Sequence, residues 1–148
     1  MAITHTKPDA VVHLGDYYED GEAMAETFPH IRFHLVPGNC DRNRMVFLPS
    51  ETLCYDVCGV KLFMTHGHRQ WVKNGLDRLI AEAQAHGAQA ALYGHTHQMD
   101  CRRLAGGMWL LNPGTCGSFG GSVGMIETNL NTIVSCRILR QEDLEGII

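Results

Sequence analysis

The 148-residue sequence has no Cys-x-x-Cys pair, no apolar run long enough to span a bilayer, and no cluster of like charge. Each absence excludes something. A transmembrane helix needs roughly 20 consecutive apolar residues, so no membrane partner is expected. Lys and Arg number 12 against 16 Asp and Glu, for a net charge of -4, and the cations are scattered. Binding to a nucleic-acid backbone rests on clustered cations, so no sequence-specific nucleic-acid partner is expected either. A small phosphorylated substrate stays open. No basic segment followed by an apolar one opens the chain as a signal peptide would. The expectation is therefore a cytoplasmic protein whose cysteines, Cys40, Cys54, Cys58, Cys101, Cys116 and Cys136, are reduced thiols. Cys54 and Cys58 flank a hairpin turn and could in principle share a metal, but two thiolates alone fall short of a structural zinc site. There is no internal repeat, and the length suits one domain, residues 1–148.

What is present alternates short apolar runs with turn formers. Residues 1–8 are polar and patternless. Residues 10–14 form a β-branched apolar run ended by Gly15-Asp16, as a buried parallel strand would be. His13 inside it is read as a core histidine. Residues 20–28 suit a short helix, with Asp20 as N-cap and Pro29 as the stop. The run 31–36 is the next strand, closed by Pro37-Gly38-Asn39-Cys40-Asp41. Runs 52–57 and 60–65 read as a hairpin across Cys58-Gly59, and the second ends in Thr65-His66-Gly67-His68. Residues 75–86 are the clearest helix, because Leu76, Leu79, Ile80 and Ala83 share one face. A strand over 88–93 leads into Gly94-His95-Thr96-His97. Runs 101–104 and 108–111 form a second hairpin, which runs into Asn112-Pro113-Gly114. The glycine-rich stretch 114–124 lacks the Lys-Ser/Thr of a phosphate-cradling loop and reads as a mobile surface loop at the rim of a site. Segments 124–127 and 132–139 are closing antiparallel strands, and the acidic tail from Gln141 is expected to fray.

Four strand ends therefore present ligand-type residues: Asp16, Asn39, His66, and His95 with His97. The carboxyl ends of parallel strands are where open α/β sheets place their ligand sites. Residues two apart on an extended segment point the same way, so His95 and His97 are expected side by side. One carboxylate, one amide and several imidazoles suit manganese, iron, zinc or nickel better than calcium.

Gly15-Asp16, Gly38-Asn39-Cys40-Asp41, Thr65-His66-Gly67-His68, Gly94-His95-Thr96-His97 and Asn112-Pro113-Gly114 stand in the order seen in calcineurin-like metallophosphoesterases. The chain resembles their small bacterial and archaeal phosphodiesterase branch, from about residue 9 to 139. The resemblance implies an α/β fold, a β-sandwich flanked by helices. It also implies a two-ion site, with manganese first among the metals, where a hydroxide bridging the ions attacks phosphorus in a small phosphodiester. Asp16 would bridge the ions, Asn39, His66 and His95 would complete one site, and His97 would belong to the other. Asp41 would hold its neighbours from outside the ligand set, beside Cys40. Many family members carry histidine at the position of Cys40, and His68 is a stand-in acid.

The family pattern opens with a strand ending in Asp-x-His, and no such motif occurs in residues 1–15. The chain is therefore expected to be N-terminally truncated, lacking the family's first strand and helix. The truncation is expected to leave an apolar slot, unpaired backbone groups, one complete metal site and weak activity. A homo-oligomer is left open. The rival expectation is a non-catalytic scaffold of the same fold, like the trafficking coat subunit whose surface binds partner proteins.

Overall fold

The computed structural model describes residues 2–43, 47, 49–117 and 120–145. Its backbone is a five-stranded mixed sheet in the order β3-β4-β5-β7-β6, with two separate two-stranded pieces, β1-β2 and β8-β9. The strands of the large sheet are β3 (Thr52–Val57), β4 (Val60–Thr65), β5 (Ala90–Leu92), β6 (Asp100–Arg103) and β7 (Trp109–Asn112). Its three central strands, β4, β5 and β7, run parallel. The edge strands β3 and β6 return antiparallel through hairpins. Cys58 and Gly59 join β3 to β4 with φ of 48° and 87°. Two consecutive positive φ values match the twist of a two-residue hairpin.

Alternation along the central strands divides the core. Phe63, Ala91, Tyr93 and Leu110 face helix α3 (Asp77–Ala85), where they meet Leu79 and Ala83. Their neighbours Leu62, Met64, Ala90, Leu92 and Leu111 face the other way. This is the period of two expected of a strand covered on both sides. The opposite face meets β1 (Ala10–His13), β2 (Arg32–Leu35), β8 (Ser122–Asn129) and β9 (Thr132–Arg140). From these come Val12, Ile126, Cys136 and Ile138, with Leu14 just beyond β1, all partly buried. β1 and β2 are parallel, joined through helix α2 (Tyr18–Thr27). Among the described residues β1 pairs with β2 alone, and β8 and β9 pair only with each other. The second layer is thus two pieces laid on one continuous sheet.

Four local expectations need correction. α2 begins at Tyr18, so Asp20 lies inside its first turn rather than capping it. The first amide instead donates to Asp41 Oδ1, at 3.0 Å, from the loop after β2. A distant carboxylate satisfies the helix start, which no local pattern reveals. Residues 1–8 include a short helix, α1 (Ala2–Thr6), and the tail holds α4 (Gln141–Glu145) rather than fraying throughout. The strand β8 begins at Ser122, so the expected rim loop is shorter than the glycine content suggested, and residues 118 and 119 lie outside the described residues.

Candidate metal centre

Parallel strands end together, so the residues that follow them collect at one edge. Asp16 comes after β1, Asn39 after β2, His66 after β4 and His95 after β5. Asp16, Asn39 and His95 converge on the Nε2 atom of His66, which is 2% exposed. Asn39 Oδ1 lies 3.0 Å from it, His95 Nδ1 3.1 Å and Asp16 Oδ2 3.4 Å. His97 stands outside this set and is exposed. The expectation that His95 and His97 project together from an extended strand does not hold. β5 ends at Leu92, and the two histidines take φ of 66° and 60°. The left-handed region turns the chain at each of them, so strand alternation no longer applies.

The approach of two turns builds the carboxylate side. Gly15, Asp16 and Tyr17 have φ of 96°, 59° and 57°. Such values cost a non-glycine residue on the order of 1 kcal/mol or more and persist where surroundings hold them. Here the hold is visible. The Cys40 amide donates to Asp16 Oδ1 at 3.0 Å, and the Gly38 amide donates to Asp41 Oδ2 at 2.7 Å. Asp41 is fully buried and, by also accepting from Tyr18, ties the two turns together. Cys40 thus meets Asp16 through its backbone, and its side chain is exposed. A Cβ on Gly15 would fall 2.7 Å from Gly38 N, and one on Gly38 would fall 2.1 Å from Asp16 Oδ1. Only glycine at both positions lets the turns come this close.

A buried amide holds the imidazole side. Asn112 is fully buried, and its Nδ2 donates to Gly94 O at 3.2 Å and to Thr96 Oγ1 at 2.9 Å. The Asn-Pro-Gly motif after β7 therefore clasps the loop that carries His95. This role was open to sequence reasoning only through the motif's position after an apolar run.

Sequence reasoning missed a second cluster beside these residues. Glu51 is ion-paired with Arg69, and its Oε1 lies 3.7 Å from both Arg42 Nη2 and His68 Nε2. The His68 ring is 5.4 Å from that of His66 and 6.1 Å from that of His95. Both of its nitrogens are buried without a hydrogen-bond partner among the described residues. Burial first, and then repulsion from His66, lower its pKa below the ordinary 6.5. Glu51 sits in a polar stretch with no periodic or motif signal, so nothing local marks it.

The donor chemistry fits a divalent cation. His66 Nδ1 lies 2.7 Å from the Leu14 carbonyl oxygen. A carbonyl only accepts, so Nδ1 carries a proton, and in that tautomer the lone pair of the imidazole sits at Nε2. That lone pair faces Asn39 Oδ1, a carboxylate oxygen and a second imidazole. Burial first, and then repulsion from His66, hold the His95 pKa down to about 4, so that ring is neutral near pH 7. Asn39 Oδ1 and Asp16 Oδ2 only accept, and acceptors turned toward a lone pair repel unless positive charge lies among them; a carbonyl-bound histidine is the usual support of a metal ligand. Among the described residues no three His, Cys, Asp or Glu side chains are spaced as a finished cage. Asp16, Asn39 and His95 close on His66 itself.

Residues 1–129 match the family model of the calcineurin-like phosphoesterase superfamily domain. No curated protein matches the chain. Among solved structures, a predicted phosphoesterase from Streptococcus pneumoniae is similar at 24% identity, with 93% of this chain and 77% of that one covered and a TM-score of 0.71. A zinc complex of Vps29 from Entamoeba histolytica is similar at 20% identity, 92% and 83% coverage and a TM-score of 0.70. An archaeal phosphodiesterase is similar at 19% identity, 94% and 87% coverage and a TM-score of 0.64. At these identities the structures speak for the fold, a mixed sheet with flanking helices. With most of its length matched by the family model, the chain belongs to the calcineurin-like phosphoesterase superfamily.

Proposed function

We propose that this chain is a metal-dependent phosphodiesterase acting on a small diester. The observation that carries the reading is the set of lone pairs from Asp16, Asn39, His66 and His95 meeting at the carboxyl ends of four strands. A divalent ion held there, manganese first among the metals, would supply Lewis acidity and an activated water. Asp16 contributes the negative charge and is held in place by the Cys40 amide. Asn39 contributes a neutral oxygen, and the two imidazoles contribute nitrogen. Asp16 and the exposed His97 would share a second ion.

His68 stands beside the set, 3.7 Å from Glu51 Oε1 through Nε2 and with neither ring nitrogen hydrogen-bonded among the described residues. In its protonated form this imidazole would give a proton to a departing alkoxide and be left neutral. Such proton transfer contributes about 100-fold or more when the leaving group is poor. His68→Ala should slow hydrolysis of an alkyl phosphodiester by roughly that factor and spare bis(p-nitrophenyl) phosphate, whose leaving group needs no proton. Equal loss on both substrates would remove His68 from this role.

The reading is tested by manganese-dependent hydrolysis of bis(p-nitrophenyl) phosphate. His66→Ala and Asp16→Asn should each lower turnover by roughly 100-fold or more. Activity that survives both substitutions would overturn it. The likeness to Vps29 supports a second reading, a scaffold of the same fold that binds a partner protein. On that reading the same substitutions would leave every function of the chain unchanged.

A further inference from the structure

We propose that Cys101 and Cys136 form an oxidant-dependent disulfide that fastens the β8-β9 hairpin to the edge of the large sheet. The inference is independent of the reading of the metal centre. The two residues are 35 positions apart, yet their Sγ atoms lie 3.4 Å apart. Cys101 Sγ also donates to the Cys136 carbonyl at 3.2 Å. Cys101 lies on β6 opposite Leu111, and Cys136 lies on β9 opposite Ile126. Both thiols are partly buried against the core between the layers.

Packing around the pair fixes how closely the layers approach. On the neighbouring strands, a Cβ on Gly124 would fall 2.7 Å from the Leu111 side chain. β8 therefore lies tightly on β7, and beside it β9 meets β6 through the Cys101–Cys136 contact. A disulfide needs the sulfurs about 2.0 Å apart. From 3.4 Å the sulfurs would close that gap by rotation of the two side chains about Cα–Cβ.

The chemistry requires a two-electron oxidant, for which hydrogen peroxide serves. Cys101 loses its proton, and its sulfur attacks the peroxide oxygen. The O–O bond breaks, and water leaves a sulfenic acid on Cys101. Cys136 Sγ then attacks Cys101 Sγ, displacing hydroxide, which takes the Cys136 proton and departs as a second water. Two thiols are oxidised and one peroxide is reduced to two waters. Burial, followed by the hydrogen bond from Cys101, pushes the Cys136 thiol up to about 12. The same balance holds if the two thiols exchange roles.

The bridge would act close to the candidate metal centre. β6 starts at Asp100, directly after the loop that carries His95 and His97. Asp100 Oδ2 accepts from Tyr93 Oη at 2.6 Å, and Tyr93 immediately precedes Gly94. Fixing β6 to β9 fixes the exit of that loop.

The test is oxidation of the full chain with one equivalent of hydrogen peroxide, followed by intact mass, peptide mapping and thermal melting. The expected result is a loss of two hydrogens, a Cys101–Cys136 cross-linked peptide, and a Tm raised by roughly 5 °C or more that dithiothreitol reverses. Cys101→Ala and Cys136→Ala should each melt cooperatively and show no oxidant-dependent rise. Thiols that stay titratable, a cross-link mapped to other cysteines, or a Tm that stays level or falls would overturn the proposal. So would a rise that persists in either variant.

Discussion

The five-stranded sheet and the split layer above it are built to different standards. In the large sheet Phe63, Met64 and Leu110 are fully buried, and every central strand is covered on both faces. In the split layer all four residues of β1 are only partly buried, and β9 alternates between partly buried and exposed. Yet the split layer supplies Asp16 and Asn39, whereas the large sheet supplies His66 and His95. The candidate centre thus joins a rigid half to a softer one. Cross-links between turns add to the β1-β2 pairing in holding the softer half in place: Asp41 to Gly38 and Tyr18, and Cys40 to Asp16.

The comparison predicts unequal costs for similar truncations. Leu110→Ala should destabilise the fold by about 4 kcal/mol, because a fully enclosed site cannot collapse around the cavity. Ile138→Ala, at a partly buried position on β9, should cost about 1–2 kcal/mol. Urea unfolding of the two variants checks this, and equal costs would break the distinction between the layers.

A second prediction separates the site from the core. Gly38→Ala places a methyl group where Asp16 Oδ1 now lies. Manganese affinity should fall by roughly 100-fold while the core sheet keeps its cooperative melt. Unchanged affinity in a calorimetric titration would mean that the two turns are not held at this distance. The rigid half gives a smaller effect. Asn112→Ala removes donors to Gly94 O and Thr96 Oγ1, so affinity should fall by about 10-fold and stability by about 1–2 kcal/mol.

The smallest effect concerns the seam between the layers. His34 Nδ1 on β2 lies 2.7 Å from Tyr55 Oη on β3. Burial first, and then Arg32, lower the His34 pKa from 6.5. As pH falls below 6.5 the unfolded chain takes up a proton that the folded ring resists. Stability should therefore decline from pH 6.5 down to the lower folded value, with no such contribution above 6.5. In urea titrations at pH 7.5 and pH 5.5, His34→Asn should show a smaller acid loss than the unsubstituted chain. An equal loss would place the proton elsewhere.

Sequence made the large sheet and most of the donors legible for a simple physical reason. Buried parallel strands are short apolar runs, and the residue after each run is set at the sheet edge whatever its identity. Asp16, Asn39, His66 and His95 were found this way. His97 was assigned to the same side as His95 by strand alternation, and the positive φ values at both residues defeat that rule. The start of α2 was misplaced because its cap comes from Asp41, 23 positions away. Glu51 and the Cys101–Cys136 contact depend on how layers stack, which hydrophobic periodicity within one segment does not encode. The short helices α1 and α4 have no buried residue and hence no apolar stripe to read.

The account stands on the claim that Asp16, Asn39, His66 and His95 hold a divalent ion. Calorimetric titration of the metal-stripped chain with manganese tests it most directly. The account predicts a saturable site on each chain that is lost in His66→Ala and in Asp16→Asn while both variants still melt cooperatively. An absence of saturable binding, or binding that persists in both variants, would contradict it.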